Sequence, residues 1–221
     1  GSIIILITIY KIKPIIKNDY ILSEGETILG ADDLAGVTGI LAALKRIKRE
    51  NIFHGNIKIV FTVAEELGLL GAKYLDSSYL EDIDFGVVYD AEGKIGNIMS
   101  EGPAKAKFNS VIKGESSHAG LNPGKGVNAI KISSLAISSM NLGEIDQETT
   151  ANIGVIRGGI ARNIVPDLVE LEGEARSRNR DKLDKQIAHM KNTIQNYVDK
   201  YEGRVDYDIE ILYENFSLKT K

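Results

Sequence analysis

Apolar positions along this chain follow two rhythms, and the change between them divides the sequence. In the first part the apolar runs are nearly continuous. Val37, Ile40, Leu41, Leu44 and Ile47 recur at helical spacing, which predicts an amphipathic helix over 34–50 with a basic outer face and end. The runs "IKIVFTV" at 57–63 and "FGVVY" at 85–89 read as buried strands, with a short helix over 68–76 between them. Strand, helix, strand at this spacing predicts a βαβ unit within a parallel sheet.

After Gly102-Pro103 the rhythm changes. Strands are predicted over 105–115, 151–160, 168–177 and 205–213, with helices over 126–140 and 180–201. That order, βαββαβ, is a ferredoxin-like sandwich of ~110 residues with its own core. The expected organisation is therefore an α/β domain over 1–102, a sandwich over 103–213, and a connection leading back toward the first domain over 214–221.

Composition narrows the class. The chain has 221 residues, 43% hydrophobic and 26% charged, with a formal net charge of −4. Those values fit an ordinary globular protein and argue against general nucleic-acid or anionic-membrane binding. With no cysteine, disulfide frameworks and thiolate metal sites are excluded, and a reducing, cytoplasmic setting is expected. The apolar run at 3–10 is much shorter than the ~20 residues of a spanning helix and lacks the flanks of a signal peptide. Gly1-Ser2 reads as a cloning remnant.

Carboxylates gather where strands and helices end. Glu65 and Glu66 follow the first buried strand, Asp90 follows the second, and Asp32 and Asp33 open the helix. In open α/β sheets such positions line one crevice. Several acids there repel one another unless cations neutralise them. Adjacent residues leaving a strand point in different directions, so one of Glu65 and Glu66 can ligate a metal while the other holds the water it activates. Each piece also has a plainer reading: an Asp pair before a helix is a cap, a Glu pair opening a helix suits its dipole, and Asp90 in "DAEG" is turn chemistry.

The stretches "GADDLAG", "FTVAEELGLLGAK" and "VVYDAEG", in this order and spacing, resemble the co-catalytic zinc peptidases of the peptidase T, aminoacylase and carboxypeptidase G family, the peptidase T-like branch above all. The resemblance runs from about Lys13 to the end of the chain. It implies a zinc-binding α/β catalytic domain carrying an inserted ferredoxin-like lid that mediates dimerisation. It implies that Asp32 bridges two zinc ions across a cis Asp32–Asp33 peptide, that Glu66 and Asp90 each ligate one zinc, and that Glu65 is the general base. In the lid, "GESSHAGLNPGKGVNAI" makes His118 an oxyanion-stabilising residue, "RNIVPD" makes Asn163 a substrate contact, and "EGEARS" makes Arg176 a clamp for a peptide carboxylate. On their own, His118 reads as a loop histidine and Arg176 as a surface charge ending a strand.

The chain departs from the family pattern in its nitrogen ligands. The family's upstream His-X-Asp motif is absent from "SIIILITIY", and its last ligand, a histidine after the lid, has no counterpart. The histidines present are His54, His118 and His189, of which His54 reads as a solvated turn residue and His189 as helix surface. Leu34 stands where a lysine is common. A site with only oxygen donors suits calcium or magnesium better than zinc. The expected function is a zinc-dependent exopeptidase acting on short peptides, of the tripeptide aminopeptidase type, as a homodimer. This chain is expected to be truncated and inactive or nearly so, with zinc absent or partial. A non-catalytic dimeric homologue, or a deacylase or carboxypeptidase on the same scaffold, are the alternatives.

Overall fold

In a computed structural model of the chain, residues 12–25, 27–65, 68–91 and 93–218 are described. They fall into two compact units, one within 12–61 and 76–97 and the other within 62–75 and 98–218.

The first unit opens with an antiparallel hairpin, β1 (Pro14–Lys17) and β2 (Tyr20–Ser23), which the sequence reading passed over. Its two turn residues, Asn18 and Asp19, have φ of 48° and 64°, the left-handed pair that a two-residue hairpin turn requires. Helix α1 (Ala31–Glu50) follows, with Lys48 and Arg49 in its last turn and Asn51, in the left-handed region, closing it onto Ile47. Beyond it the expected βαβ unit is not formed. Among the described residues, 57–63 and 85–89 carry no strand ladder. The intervening helix, now α2, shrinks to Leu70–Lys73. The reason is physical: a strand apolar on both faces needs a neighbour along each edge and a layer on each side. Here Phe85 is 80% exposed and Val88 85%. Lys58 instead ties its segment down, donating to the Tyr79 carbonyl at 2.9 Å and pairing with Asp82.

The second unit holds the complete core. Short strands β3 (Glu101–Gly102) and β11 (Phe216–Ser217) pair at the two ends of its main stretch. Between them run β4 (Ala104–Lys113), β5 (Ser117–His118), α3 (Ala129–Ser139), β6 (Gly143–Glu144), β7 (Thr149–Gly158), β8 (Ile164–Val165), β9 (Leu168–Ser177), α4 (Arg180–Lys200) and β10 (Arg204–Tyr213). The antiparallel sheet has the order β10-β4-β9-β7-β6, the ferredoxin-like arrangement expected from βαββαβ. Strand β4 alternates buried and half-buried residues along its whole length, so one face meets the helices and the other stays open. On the covered face Phe108, Ile112 and Leu171 pack with Ile132 of α3 and with Leu183, Met190 and Ile194 of α4. Asn128 and Asn179 cap the two helices, accepting the Lys131 and Lys182 N–H groups at 2.9 and 3.2 Å. The open face is an array of ion pairs, with Lys107 between Asp208 and Glu210, Lys105 on Glu174, and Arg157 on Glu172.

Candidate active site

The first turn of α1 is irregular where the acids sit. Asp32 and Asp33 have non-helical φ/ψ, and the peptide between them is cis, as expected. The Asp33 side chain accepts the Gly36 N–H at 3.0 Å, so Asp33 caps the regular part of the helix. Gly36 lies so near the 85–89 segment that a Cβ there would stand 2.3 Å from the Tyr89 carbonyl oxygen and 2.4 Å from Asp33 Oδ1. Only glycine allows that approach. The Asp32–Asp33 turn is thereby held beside Tyr89 and its neighbour Asp90, two of the three places where acids were expected to gather.

Glu65 belongs to the second unit. Its carbonyl accepts N–H groups from Gly68 and Leu69 at 2.9 and 2.8 Å, and Gly71 N–H reaches back to Val63 at 3.0 Å. A Cβ on Gly71 would lie 2.5 Å from the Val63 oxygen, so the glycine lets α2 fold onto the segment before it. The Glu65 residue itself is exposed. Lys73 of α2 reaches Glu210 of β10 at 3.7 Å. Glu66 lies outside the described residues.

His118 and Asn163 come together. Strand β5 pairs with β8 so that His118 stands opposite Ile164, and the Ala119 N–H donates to the Asn163 carbonyl at 2.9 Å. The His118 ring accepts the Gly120 and Leu121 N–H groups on Nδ1 at 3.1 and 3.2 Å. In the neutral ring this puts the proton on Nε2, leaving that N–H as a donor on an exposed residue. Arg176 stands apart on the open face of the sheet, where its Nε donates to Glu174 at 2.7 Å. The Glu174 carboxylate holds the guanidinium above its ordinary range. Burial pushes Glu174 up, but hydrogen bonds from Arg176 and Lys105 outweigh it and leave the carboxyl below the usual range. Sequence reasoning overlooked Gly36 and Gly71, although glycine inside a helical stretch is a signal of close packing.

Residues 103–202 match the family described as the peptidase dimerisation domain, and 13–110 match M42 glutamyl aminopeptidase. The chain is similar to the uncharacterized protein YqjE of Bacillus subtilis (strain 168), 45% identical over 93% of this chain and 55% of that one. The crystal structure of a tripeptidase from Staphylococcus aureus subsp. aureus Mu50 shares 44% identity over 94% of this chain and 56% of its own, with a TM-score of 0.89. The aminopeptidase PepT from Bacillus cereus ATCC 10987 shares 42% identity over 95% and 56%, with a TM-score of 0.81. The chain is similar in sequence and in fold to peptidases of the peptidase T type. This peptidase T-like chain spans about half the length of the curated relatives it matches, 55% and 51% of the first two.

The ligands expected from the sequence motifs, Asp32, Glu66 and Asp90, carry oxygen donors alone, which does not by itself fit a two-zinc centre. Each of the chain's three histidines is engaged locally: His54 Nδ1 with Gly55 O at 2.7 Å, His118 as above, and His189, whose Nε2 accepts the Asn141 N–H at 3.0 Å. His189 is therefore a tie between α4 and the loop after α3 rather than bare helix surface. Among the described residues no group of three His, Cys, Asp or Glu side chains is placed to hold an ion.

Proposed function

We propose that this protein is a metal-dependent exopeptidase of the tripeptide aminopeptidase type, with zinc as its metal and short peptides as its substrates. The observation that carries the reading is the seating of Gly36 against the Tyr89 carbonyl, which holds the Asp32–Asp33 turn beside Asp90. Similarity to a tripeptidase and to an aminopeptidase PepT supports it. Asp32, Glu66 and Asp90 are the carboxylate metal ligands, and Glu65 is the base that takes a proton from water and delivers it to the leaving amine. The Nε2–H of His118 donates to the oxyanion that develops on the scissile carbonyl. Asn163 contacts substrate, and the free N–H groups of Arg176 take a carboxylate. Two copies associate through the 103–213 domain, as the match to a dimerisation domain supports. With oxygen donors alone in that set, the 221-residue chain on its own is inactive or nearly so.

A chimera tests this. Residues 13–213 replace the matching segment of the Staphylococcus aureus tripeptidase, whose remaining sequence stays in place. The chimera should cleave tripeptides and leave N-acyl amino acids intact, and Glu65→Ala in it should abolish turnover with zinc still bound. Cleavage of acyl amino acids in place of tripeptides would overturn the aminopeptidase reading. Loss of zinc on Glu65→Ala would exchange the roles of Glu65 and Glu66. Two zinc ions per unmodified 221-residue chain would refute the incomplete donor set.

A further inference from the structure

Two side chains of α4, one turn apart, hold both backbone polar groups of Asn141. Gln186 Nε2 donates to the Asn141 carbonyl at 2.8 Å, and His189 Nε2 accepts the Asn141 N–H at 3.0 Å. Gln186 is buried and His189 half-buried. Just beyond this clamp Gly143, with φ of 82°, turns the chain into β6. Strand β6 pairs with β7 at Thr150 and Ala151, and among the described residues it is the one neighbour on that edge of the sheet. The clamp therefore helps decide whether the edge is covered there.

The two ties differ in chemistry. A carboxamide donates at any pH, whereas an imidazole nitrogen accepts only while the ring is neutral. With Nε2 accepting, the neutral ring carries its proton on Nδ1. A second proton, on Nε2, sets one donor against another and removes the bond. The bond is thus present above the titration of the ring and lost below it. No surrounding charge restores it. On α4, Lys185 lies one turn before His189, and Lys191 sits over the Tyr207 ring at 5.3 Å. The one charge on α3, Lys131, sits over the Tyr201 ring at 4.9 Å, and Tyr197 shares a hydrogen bond with Ser139 at 2.7 Å. The loop after α3 brings Glu144 and Asp146, the latter paired with Lys182 at 3.1 Å. Acids beside the ring favour the proton, not the bond it removes. The covered faces of β4, β7 and β9 beneath α4 carry no ionisable side chain, and that of β10 brings Tyr207 alone.

We infer that His189 is an acid-released latch. Neutral, it holds the 140–144 loop, and with it β6, against β7. Protonated, it lets the loop open, while the apolar anchors of the sandwich stay in place. Opening extends the free edge of β7 back to Thr150, a longer row of unpaired backbone groups available for strand addition. The inference uses none of the candidate active-site residues and goes beyond the exopeptidase reading.

Amide exchange of the ¹⁵N-labelled full chain, compared at pH 8 and pH 5 and corrected for the intrinsic pH dependence, tests the latch. Protection at Asn141, and at Ile145, whose N–H donates to the Thr149 carbonyl, should fall about tenfold in step with the His189 ring signal, as one lost hydrogen bond implies. Phe108 in β4 should keep its protection throughout. His189→Gln, whose carboxamide oxygen accepts at either pH, should abolish the fall, and His189→Leu should show low protection at both. His54→Gln, at a histidine engaged with Gly55, should leave the fall in place. Constant protection at Asn141 while the His189 ring titrates, a ring still neutral at pH 5, a fall surviving in His189→Gln, or an equal loss at Phe108 would each overturn the inference.

Discussion

Phe108 and Phe61 are both phenylalanines in extended apolar stretches, yet Phe108 is fully buried and Phe61 is 54% exposed. The difference lies in the stretches that carry them. Strand β4, "AKAKFNSVIK", alternates, so it needs one covering layer, and α3 and α4 supply it from nearby in sequence. The 57–63 stretch is apolar on both faces and needs two layers and two flanking strands. Among the described residues it has neither. A one-faced antiparallel sheet closes its own core within about 110 residues, while a two-faced segment depends on partners that must come from elsewhere.

The largest expected effect is on amide exchange. Amides in β4, β9 and α4 should exchange more than about 10⁴-fold slower than free peptide, as opening them requires unfolding the sandwich. Those of 57–61 and 85–89 should be protected less than about tenfold. Hydrogen exchange read by mass spectrometry decides the matter. Comparable protection in the two regions would erase the contrast between them.

Side-chain truncation sharpens the same contrast. Phe108→Ala removes a ring packed among Ile112, Leu171 and Met190, and should destabilise the sandwich by about 3–5 kcal/mol in urea unfolding. Phe53→Ala, at a side chain 100% exposed, should change stability by less than about 0.5 kcal/mol. A loss of more than about 1 kcal/mol at Phe53 would mean that the first unit has a core of its own.

The sandwich was legible in the sequence because each of its elements is amphipathic on its own. The 168–177 strand coincides with β9, and 180–201 differs from α4 by one residue. Helix α3 starts at Ala129 rather than 126 because a 3-10 turn over Pro123–Lys125 and the Asn128 cap occupy the approach. The strands at 57–63 and 85–89 were legible as apolar but not as a sheet, since pairing is not written in the run itself. At the candidate site, the motif named the acids, and the seating of Gly36 on Tyr89 explains how two of their positions are held together. The Asp33 cap was one of the plainer readings, and it proves compatible with a role for its neighbour.

The smallest expected effect concerns pH and lies wholly within the better-packed region. Tyr207 of β10 donates its hydroxyl to the Lys191 carbonyl at 3.1 Å and meets Phe108 edge to face at 6.2 Å. Burial pushes its phenol from 10.0 up to about 12, with the Asp199 charge adding to the rise. The folded state thus disfavours the phenolate that the unfolded chain forms freely. The stability this residue contributes is intact below pH 10 and is lost as the pH rises from 10.0 through about 12. Urea midpoints of the full chain should fall across that window, and Tyr207→Phe should flatten the fall, though it gives up a hydrogen bond of about 1 kcal/mol at neutral pH. Parallel curves for the two proteins would show that the ring is solvated, and with it that edge of the sandwich core.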